Sequence, residues 1–327
     1  MKILITGITG MVGSHLAEYV LNNHPEVEVH GLIRWRSPLD NIRHIKDRVQ
    51  LHHGDLHDLN SLIVLLGNVR PDRIFHLAAQ SYVMDSFEMA ADTVAINVIG
   101  TTHLMDAVRR NNLDPRIHIC SSSEVYGQVR EDELPITENN PMRPASPYAV
   151  SKVGEDMIAM QYYLSYGMKI IRTRMFTHTG PRRGDFFAES AFAKQIAEIE
   201  AGIHPTGILK VGNLDSVRTF ADVRDAVEAY WLLLEKCTPG EAYNIGGTET
   251  ITIGEMLEIL KSFATCDIKH EVDPALLRPS DVTLQIPDTS KFVTETNWKP
   301  TYTTEQTMHD LLDYHRNRIK VWQATSL

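Results

Sequence analysis

The stretch MKILITGITGMVG, residues 1–13, decides the fold of this chain. Residues 3–5 are apolar, as in a short buried strand, and an amphipathic helical pattern follows to about residue 21. Between the two segments, glycines stand where a turn is tight, where backbone must approach a phosphate and where a helix packs on a strand. The predicted contacts are Gly7, Gly10, Met11, Val12 and Gly13. A helix N-terminus offers free N–H groups to a pyrophosphate, so this stretch predicts a dinucleotide site.

The end of the second predicted strand indicates which dinucleotide binds. Residues 27–33 read as a strand and are followed by Arg34, Trp35, Arg36 and Ser37. A site specific for NAD usually has an acidic residue here, which accepts a hydrogen bond from the ribose 2′-OH. Two guanidinium groups instead suit a 2′-phosphate. The sequence therefore favours NADP, and the alternative is a pair of solvated arginines at a strand end.

Three later strand-like segments also end in residues that suit ligand binding. The residues at these ends are Asp55 and Leu56, then Leu77, Ala78 and Ala79, and finally Ser121 to Glu124. An aspartate at the first position can contact an adenine amino group, and small residues at the second allow close approach of the cofactor. Ligands bind at the carboxyl ends of strands in an open parallel sheet. We therefore predict an α/β fold with a doubly wound, Rossmann-type parallel sheet.

The candidate catalytic residues are Ser122, Glu124, Tyr148 and Lys152. Tyr148 and Lys152 are four residues apart and lie on one face of a predicted helix. The ammonium can lower the pKa of the phenol, which is otherwise about 10. A serine and a carboxylate upstream add a hydroxyl donor and a second base. The set predicts oxidation of an alcohol plus a further proton transfer; without the neighbouring motifs, a packed tyrosine and a solvated lysine would be the better interpretation.

Composition limits the possible partners and compartment. The chain has 327 residues and a formal net charge of −10, which argues against a nucleic-acid or anionic-membrane surface. Its three cysteines are widely spaced and suggest no disulfide framework. The apolar run at the start is interrupted at once by glycines, unlike a signal peptide, so we expect a cytoplasmic protein. We expect no metal site, because the fifteen histidines form no His-Glu-x-x-His motif.

The alternation of strand and helix patterns continues to about Arg174 and then changes character. We predict a cofactor-binding Rossmann domain at residues 1–176, which also receives segments from about 211–247. Residues 177–327 are predicted to form mainly a smaller, interleaved substrate-binding lobe.

Taken together, these motifs resemble the extended short-chain dehydrogenase/reductase family along nearly the whole chain. The matching residues are Thr6-Gly7-x-x-Gly10-x-x-Gly13, Asp55-Leu56, His76 to Ala79, Ser122, Tyr148-x-x-x-Lys152 and Arg278-Pro279. Within that family, the segments Ser122 to Gly127 and His178 to Gly184 are similar to those of GDP-mannose 4,6-dehydratases. The related GDP-4-keto-6-deoxymannose reductases are the second resemblance.

The resemblance also implies binding residues. It adds Tyr148, Lys152, His178 and Arg183 to the expected NADP contacts. The implied substrate contacts are Ser81, Ser123, Thr177, Lys194, Gly212, Arg218, Arg278 and Asp281. Two positions depart from the family pattern: Thr177 stands where asparagine is usual, and Thr219 where aspartate is usual.

The resemblance implies an NADP-dependent lyase that converts a GDP-sugar into its 4-keto-6-deoxy product, with Glu124 as the base at C5. Three alternatives stay open: a 4-keto reductase that uses NADPH, a non-catalytic NADP-binding protein, and an epimerase-like enzyme or one for another sugar such as a heptose. Relatives pair through two helices of the cofactor domain, so we expect a homodimer or homotetramer.

Overall fold

The computed structural model describes residues 1–277 and 282–325. The predicted substrate contacts Arg278 and Asp281 lie outside the described residues. Within them, the chain has a seven-stranded sheet in the order β3-β2-β1-β4-β5-β6-β11, in which every pair of neighbours is parallel. These strands are β1 Lys2–Thr6, β2 Glu28–Ile33, β3 Gln50–His53, β4 Arg73–His76, β5 Arg116–Ser122, β6 Ile170–Met175 and β11 Ala242–Ile245. The predicted doubly wound α/β fold is confirmed.

Shorter strands build three small sheets at one side of the large one. They are β7 His178–Thr179, β8 Ile208–Val211, β9 Val217–Thr219, β10 Ala221–Asp222, β12 Thr250–Thr252, β13 Lys269–Val272 and β14 Leu284–Gln285. Strand β9 lies between β12 and β14, while β7 pairs with β10 and β8 pairs with β13. Among the described residues, the predicted substrate contact Arg218 lies on β9, while Thr177 precedes β7 and Gly212 follows β8.

Eleven α-helices are present in the described part of the chain. Their bounds are α1 Met11–Asn23, α2 Leu59–Val69, α3 Val83–Glu88, α4 Ala90–Val94, α5 Gly100–Arg110, α6 Pro147–Tyr166, α7 Ala188–Glu200, α8 Val223–Lys236, α9 Ile253–Ser262, α10 Ser290–Thr296 and α11 Thr304–Thr325. A π-helical segment, Ala95–Ile99, joins α4 to α5. Short 3-10 helices occupy Asp40–Arg48, Ser123–Tyr126, Glu131–Glu133 and Pro274–Leu276.

Helices cover both faces of the large sheet. One apolar cluster joins the sheet to α1 and α8, and another joins it to α2, α5 and α6. Because both faces are buried, its strands are continuous apolar runs such as Ile3–Leu4–Ile5, whose side chains are 0% exposed. The strand order reverses between β1 and β4, so the carboxyl ends of these two strands open a crevice.

A third apolar cluster belongs to the later part of the chain. It joins α7, α9 and α11 with β8 and is separate from the two clusters around the large sheet. Strand β11 pairs with β6 in the large sheet, and helix α8, Phe292 and Trp298 pack in the apolar cluster on one face of that sheet. These contacts support the division that we propose: residues 1–176 with segments of 211–247 as cofactor domain, and most of 177–327 as an interleaved substrate lobe.

Over the described ranges, 1–277 and 282–325, no helix has the length and apolarity needed to cross a bilayer. The same residues contain no group of three or more histidine, cysteine or carboxylate side chains placed to bind a metal ion.

Candidate active site

The turn between β1 and α1 has the shape that a pyrophosphate requires. Gly7 has φ +74°, and a Cβ on Gly13 would lie 2.2 Å from the Gly7 carbonyl oxygen. The turn is tied to the next strand by the Thr6 hydroxyl, which accepts from the Leu77 and Ala78 N–H groups at 3.1 Å each. Gly10 is the N-cap of α1 and has no side chain with which to cap it, so the first N–H groups of the helix can face a phosphate.

The neighbouring strand ends hold the residues predicted for the adenosine end. Arg34 and Arg36 are exposed just after β2. Asp55 follows β3 and accepts from the His57 N–H at 2.9 Å. Burial raises the pKa of Asp55, but hydrogen bonds from His57 and the charges of His57 and Arg34 outweigh it, so its pKa lies below the usual range. The structure therefore places a carboxylate and two arginines at the carboxyl ends of the neighbouring strands β3 and β2.

Tyr148 is placed by the first turn of α6. Ser146 caps the helix by accepting from the Ala149 N–H at 3.1 Å, and Pro147 stands at the first helical position. The Tyr148 N–H donates to the Ser86 hydroxyl at 3.1 Å, which fixes the helix start to α3. The side chain is 9% exposed. Tyr148 is thus held rigidly at the carboxyl end of the sheet, as predicted.

The electrostatics of Tyr148 differ from the simple expectation. Burial raises its pKa, while Lys152 and a hydrogen bond with Ser122 lower it, and burial has the larger effect. Lys152 does favour the phenolate, as the sequence indicates, but the net pKa of Tyr148 lies above its ordinary value. The sequence pattern identified the interaction and could not show how deeply the phenol is buried.

Lys152 is 4% exposed and is held by two acceptors. Its ammonium donates to the Cys120 carbonyl oxygen at 2.8 Å and to Glu155 at 2.7 Å. Glu155 is one turn further along α6 and is 1% exposed. Sequence reasoning missed Glu155; the signal that could have found it is a carboxylate three residues after the lysine, on the same helix face.

The end of β5 carries the predicted serine and glutamate. The Ser122 hydroxyl accepts from the Glu124 N–H at 3.2 Å and so caps the short helix Ser123–Tyr126. Ser123 donates to the side-chain oxygen of Gln285 at 2.9 Å, and the Gln285 amide is 3.5 Å from the Glu124 carboxylate. Gln285, on β14, therefore connects the catalytic loop to the second lobe, and sequence reasoning missed it.

Asn97 is a second polar residue that the sequence analysis missed. It is 1% exposed in the π-helical segment and bonds both the N–H and the carbonyl of Gln80, at 2.8 and 3.0 Å. Its amide also donates to the Ser151 hydroxyl on α6 at 2.8 Å. Asn97 thereby fixes the loop after β4 relative to the helix that carries Tyr148. The extra residue of a π-helix is frequent at functional sites.

Strand β7 and the turn after it contribute His178 and Arg183. The His178 ring donates to the Phe176 carbonyl at 3.1 Å, and burial together with the charge of Arg183 lowers its pKa to about 4. Arg183 lies 3.4 Å from the Phe187 ring centroid, bonds Glu189 at 3.1 Å, and its charge is close enough to interact with Tyr148. The structure thus brings these two predicted cofactor contacts to the Tyr148 side of the crevice.

The predicted substrate contacts are spread over a wider area. Ser81 is exposed after β4, Thr177 is half-buried between β6 and β7, and Lys194 on α7 pairs with Asp185 at 3.0 Å. Arg218 on β9 is 8% exposed and donates to the Val282 carbonyl at 2.9 Å. At Gly212 an added Cβ would lie 2.9 Å from the Leu276 carbonyl oxygen.

Comparisons with known proteins agree with this geometry. The family model for GDP-mannose 4,6 dehydratase matches residues 4–311. The chain is 33% identical to the GDP-mannose 4,6 dehydratase of Drosophila melanogaster, with 94% of this chain and 84% of that protein covered. It is 31% identical to the GDP-6-deoxy-D-mannose reductase of Pseudomonas aeruginosa, with 98% of each covered.

Solved structures show the same relationship. The structure of RMD from Pseudomonas aeruginosa complexed with NADPH matches with a TM-score of 0.84 and 30% identity, covering 97% of this chain and 99% of that one. The family model spans most of the chain, and relatives above 30% identity cover nearly all of it. This protein therefore belongs to the GDP-mannose 4,6 dehydratase family, within the extended short-chain dehydrogenases/reductases.

Proposed function

We propose that this protein is an NADP-dependent GDP-mannose 4,6-dehydratase, which forms GDP-4-keto-6-deoxymannose and water. The observation that carries the proposal is the placement of Glu124 beside Ser122, at the strand end next to Tyr148 and Lys152. Two bases at one crevice suit a reaction that needs two separate proton removals. The family match supports this activity more strongly than the alternatives.

The residues of the crevice fit NADP. The glycine turn leaves room for the pyrophosphate, and Arg34 and Arg36 suit the 2′-phosphate. Bound NADP would supply hydride acceptance at C4 of the sugar and hydride return at C6. The structure of RMD from Pseudomonas aeruginosa is a complex with NADPH, which agrees with this choice of cofactor.

In the first step, Tyr148 removes the proton of the C4 hydroxyl. Ser122 bonds the same oxygen, and the Lys152 ammonium stabilises the phenolate that receives the proton. Burial raises the pKa of Tyr148 and the positive charge of Lys152 opposes that rise, so the ammonium lowers the free energy needed to form the phenolate. The sugar is then a 4-ketone, and the proton at its C5 becomes acidic.

In the second step, Glu124 removes the C5 proton and passes a proton to the C6 hydroxyl, which leaves as water. Gln285 lies 3.5 Å from the Glu124 carboxylate and can direct it toward the sugar. A proton from solvent then returns to C5 as C6 is reduced, and Tyr148 releases to solvent the proton that it took from the C4 hydroxyl. Overall the sugar has lost one water and the cofactor is unchanged. Glu124 is the residue that this reaction needs and that a simple reduction does not.

The nucleotide part of the substrate fits the second lobe. Arg218 lies on β9, which pairs with β14, and a guanidinium group suits a diphosphate. As the family resemblance implies, we propose that Gly212, Thr177, Ser123, Ser81 and Lys194 also contact the GDP-sugar. We infer that a GDP-sugar spans the two lobes, with its sugar at Tyr148.

A reductase is the second candidate, and a specific observation favours it. The GDP-6-deoxy-D-mannose reductase of Pseudomonas aeruginosa matches this chain over 98% of both lengths. A reductase would use Ser122, Tyr148 and Lys152 and would run in one direction with NADPH. It would leave Glu124 without a role as a base.

The protein is also proposed to form a homodimer or homotetramer. Val150, Met157 and Leu164 recur every seven residues on one face of α6 and are 50%, 42% and 70% exposed. Such a face suits pairing with the same helix of a second copy, and the exposed Arg34 to Arg43 loop could extend to a further copy. Sedimentation at micromolar concentration should show a species larger than a monomer; a monomer alone would contradict this.

The proposed activity is tested by incubation with GDP-mannose and catalytic amounts of NADP⁺. We expect a product lighter than the substrate by one water, with no net change in cofactor. The matched control is Tyr148→Phe, which keeps the ring and should form no product. Stoichiometric NADPH consumption with a 4-keto-6-deoxy sugar, and no product from GDP-mannose, would establish the reductase instead.

A further inference from the structure

A buried carboxylate outside the predicted catalytic set touches the catalytic lysine. Glu155 is 1% exposed, and its carboxylate accepts from the Lys152 ammonium at 2.7 Å. The lysine is 4% exposed, so both charged groups lie away from water. Two of the three N–H donors of the ammonium are therefore bonded to described residues, Glu155 and the Cys120 carbonyl, which leaves one that can point to a ligand.

Burial without a partner would remove the charge of this lysine. Desolvation favours the neutral amine and lowers the pKa of a buried lysine by several units. At Lys152 burial acts in this direction, and the negative charge of Glu155 is the largest of the effects that oppose it. Tyr148, Cys120 and the hydrogen bond of Glu155 add to it, so that the pKa of Lys152 lies above its usual value. A lysine that is neutral at working pH could not stabilise the Tyr148 phenolate.

We propose that Glu155 is a positioning residue for the oxidation step: it holds the Lys152 side chain in place and keeps it charged inside the buried site. The inference rests on the proposed function, in which Tyr148 is the base at the C4 hydroxyl and needs the Lys152 ammonium beside it. Glu155 acts through Lys152 and does not itself contact the reacting atoms.

The other ionisable groups around the pair do not replace Glu155. Asp156, the next residue on α6, is bonded by Arg172 at 2.7 Å and by Arg174 at 2.9 Å, both from β6. Burial, and to a smaller extent the charge of Asp156, raises the pKa of Glu155 to about 7, and the charge and hydrogen bond of Lys152 act against this rise.

On β5, the Cys120 thiol has a pKa raised by burial and stays neutral. The pKa of His76 on β4 is lowered to about 3 by burial and by the charge of Lys152. The pKa of His118 on β5 is also lowered to about 3, by burial and by the charges of His76 and Lys152. Neither histidine is therefore charged near neutral pH. Arg183, after β7, adds a positive charge near Tyr148. Glu155 is thus the carboxylate bonded directly to Lys152.

The sign of one pKa shift tests the proposal. Phenolate formation by Tyr148 is followed by ultraviolet difference absorbance of the free protein, with the signal assigned by comparing each form with its Tyr148→Phe counterpart. In Glu155→Gln the amide keeps the shape and loses the charge. We expect Lys152 to lose its proton first, so the pKa of Tyr148 should rise. A fall would mean that Lys152 stays charged without Glu155, and an unchanged pKa would mean that Glu155 is not coupled; either result would overturn the proposal.

A kinetic readout and two further variants complete the test. In a single turnover, C4 oxidation by Glu155→Gln should fall about tenfold or more with little change in the KM for GDP-mannose.

Glu200→Gln is the matched control, because it breaks the 2.7 Å Glu200–Arg316 pair between α7 and α11 and should leave the Tyr148 pKa unchanged. If Glu155→Gln does not fold, Glu155→Asp takes its place, because it keeps the charge on a shorter side chain. We expect a small rise in the pKa of Tyr148 in this variant; an unchanged or lower pKa of Tyr148 would reject the proposal. Because the titration needs no substrate, it can fail independently of the proposed function.

Discussion

At the scale of single residues, cofactor choice depends on charges that the fold leaves exposed. Arg34 and Arg36 follow β2 and face solvent, whereas an enzyme specific for NAD would place a carboxylate near this point. The carboxylate that is present, Asp55, belongs to the next strand and has its pKa lowered in part by Arg34. It suits the adenine side of the ligand rather than the ribose.

We expect Arg34→Ala combined with Arg36→Ala to weaken NADP⁺ binding by about a hundredfold or more, since hydrogen bonds to charged groups contribute about 1.5–3 kcal/mol each. NAD⁺, which lacks the 2′-phosphate, should bind about as before. Calorimetric titration of both cofactors measures the difference. Arg43→Ala is the control, because that arginine is exposed in the same loop but pairs with Asp40 at 2.7 Å. Native protein that binds NAD⁺ as tightly as NADP⁺ would contradict the assignment.

At the scale of secondary-structure elements, the local sequence was a good guide and pairing between distant segments was not. The sequence predicts strands at 3–5 and 27–33 with a helix to about residue 21 between them, and the structure has β1 Lys2–Thr6, α1 Met11–Asn23 and β2 Glu28–Ile33. It did not predict β14 or its pairing with β9, because strands of two or three residues carry no periodicity.

The same limit applies to the candidate site. Ser122, Tyr148 and Lys152 were found by spacing, since they belong to adjacent elements with strong local patterns. Gln285 was missed, because its contact with Glu124 joins residues that are 161 positions apart. The depth of burial of Tyr148 was missed for a related reason: it depends on how several elements pack together, which a single motif does not reveal.

The β1–α1 unit makes a further prediction at this scale. In Gly13→Ala the new Cβ would collide with the Gly7 carbonyl oxygen, so the helix must move away from the turn. We expect loss of NADP⁺ binding and a lower free energy of unfolding. The control is Gly254→Ala in the first turn of α9, where the nearest atom lies at 3.4 Å and alanine should be neutral or slightly stabilising. Unchanged cofactor affinity in Gly13→Ala would show that the turn does not bind the pyrophosphate.

At the scale of the whole molecule, buried histidines couple stability to pH. Burial lowers the pKa of His76 and His118 to about 3, and that of His15, His178 and His315 to about 4. The unfolded chain binds these protons near pH 6.5, whereas the folded protein resists them. Their contribution to stability is therefore present above about pH 6.5 and is lost as the pH falls toward 3 to 4.

We expect the free energy of unfolding, measured with urea, to decrease below about pH 6.5 by about 1.4 kcal/mol per pH unit for each of these histidines. His118→Gln removes one such group and should reduce the slope of the free energy of unfolding against pH by about 1.4 kcal/mol per pH unit. His270→Gln, at an exposed position on β13, should leave the slope as it is. A slope that is the same in His118→Gln and in the native protein would show that His118 is not a neutral core group.

The central claim is that Glu124 removes the C5 proton, and the most direct measurement is a single turnover of Glu124→Gln with GDP-mannose and NADP⁺. Glutamine keeps the shape and much of the hydrogen bonding but cannot take a proton, and Glu131→Gln, at an exposed position, is the matched control. We expect C4 oxidation to continue while water loss stalls. Reduced cofactor should then accumulate on the enzyme, and deuterium entry at C5 from heavy water should fall by about a hundredfold or more. Product formation and deuterium entry at the native rate in Glu124→Gln would contradict it.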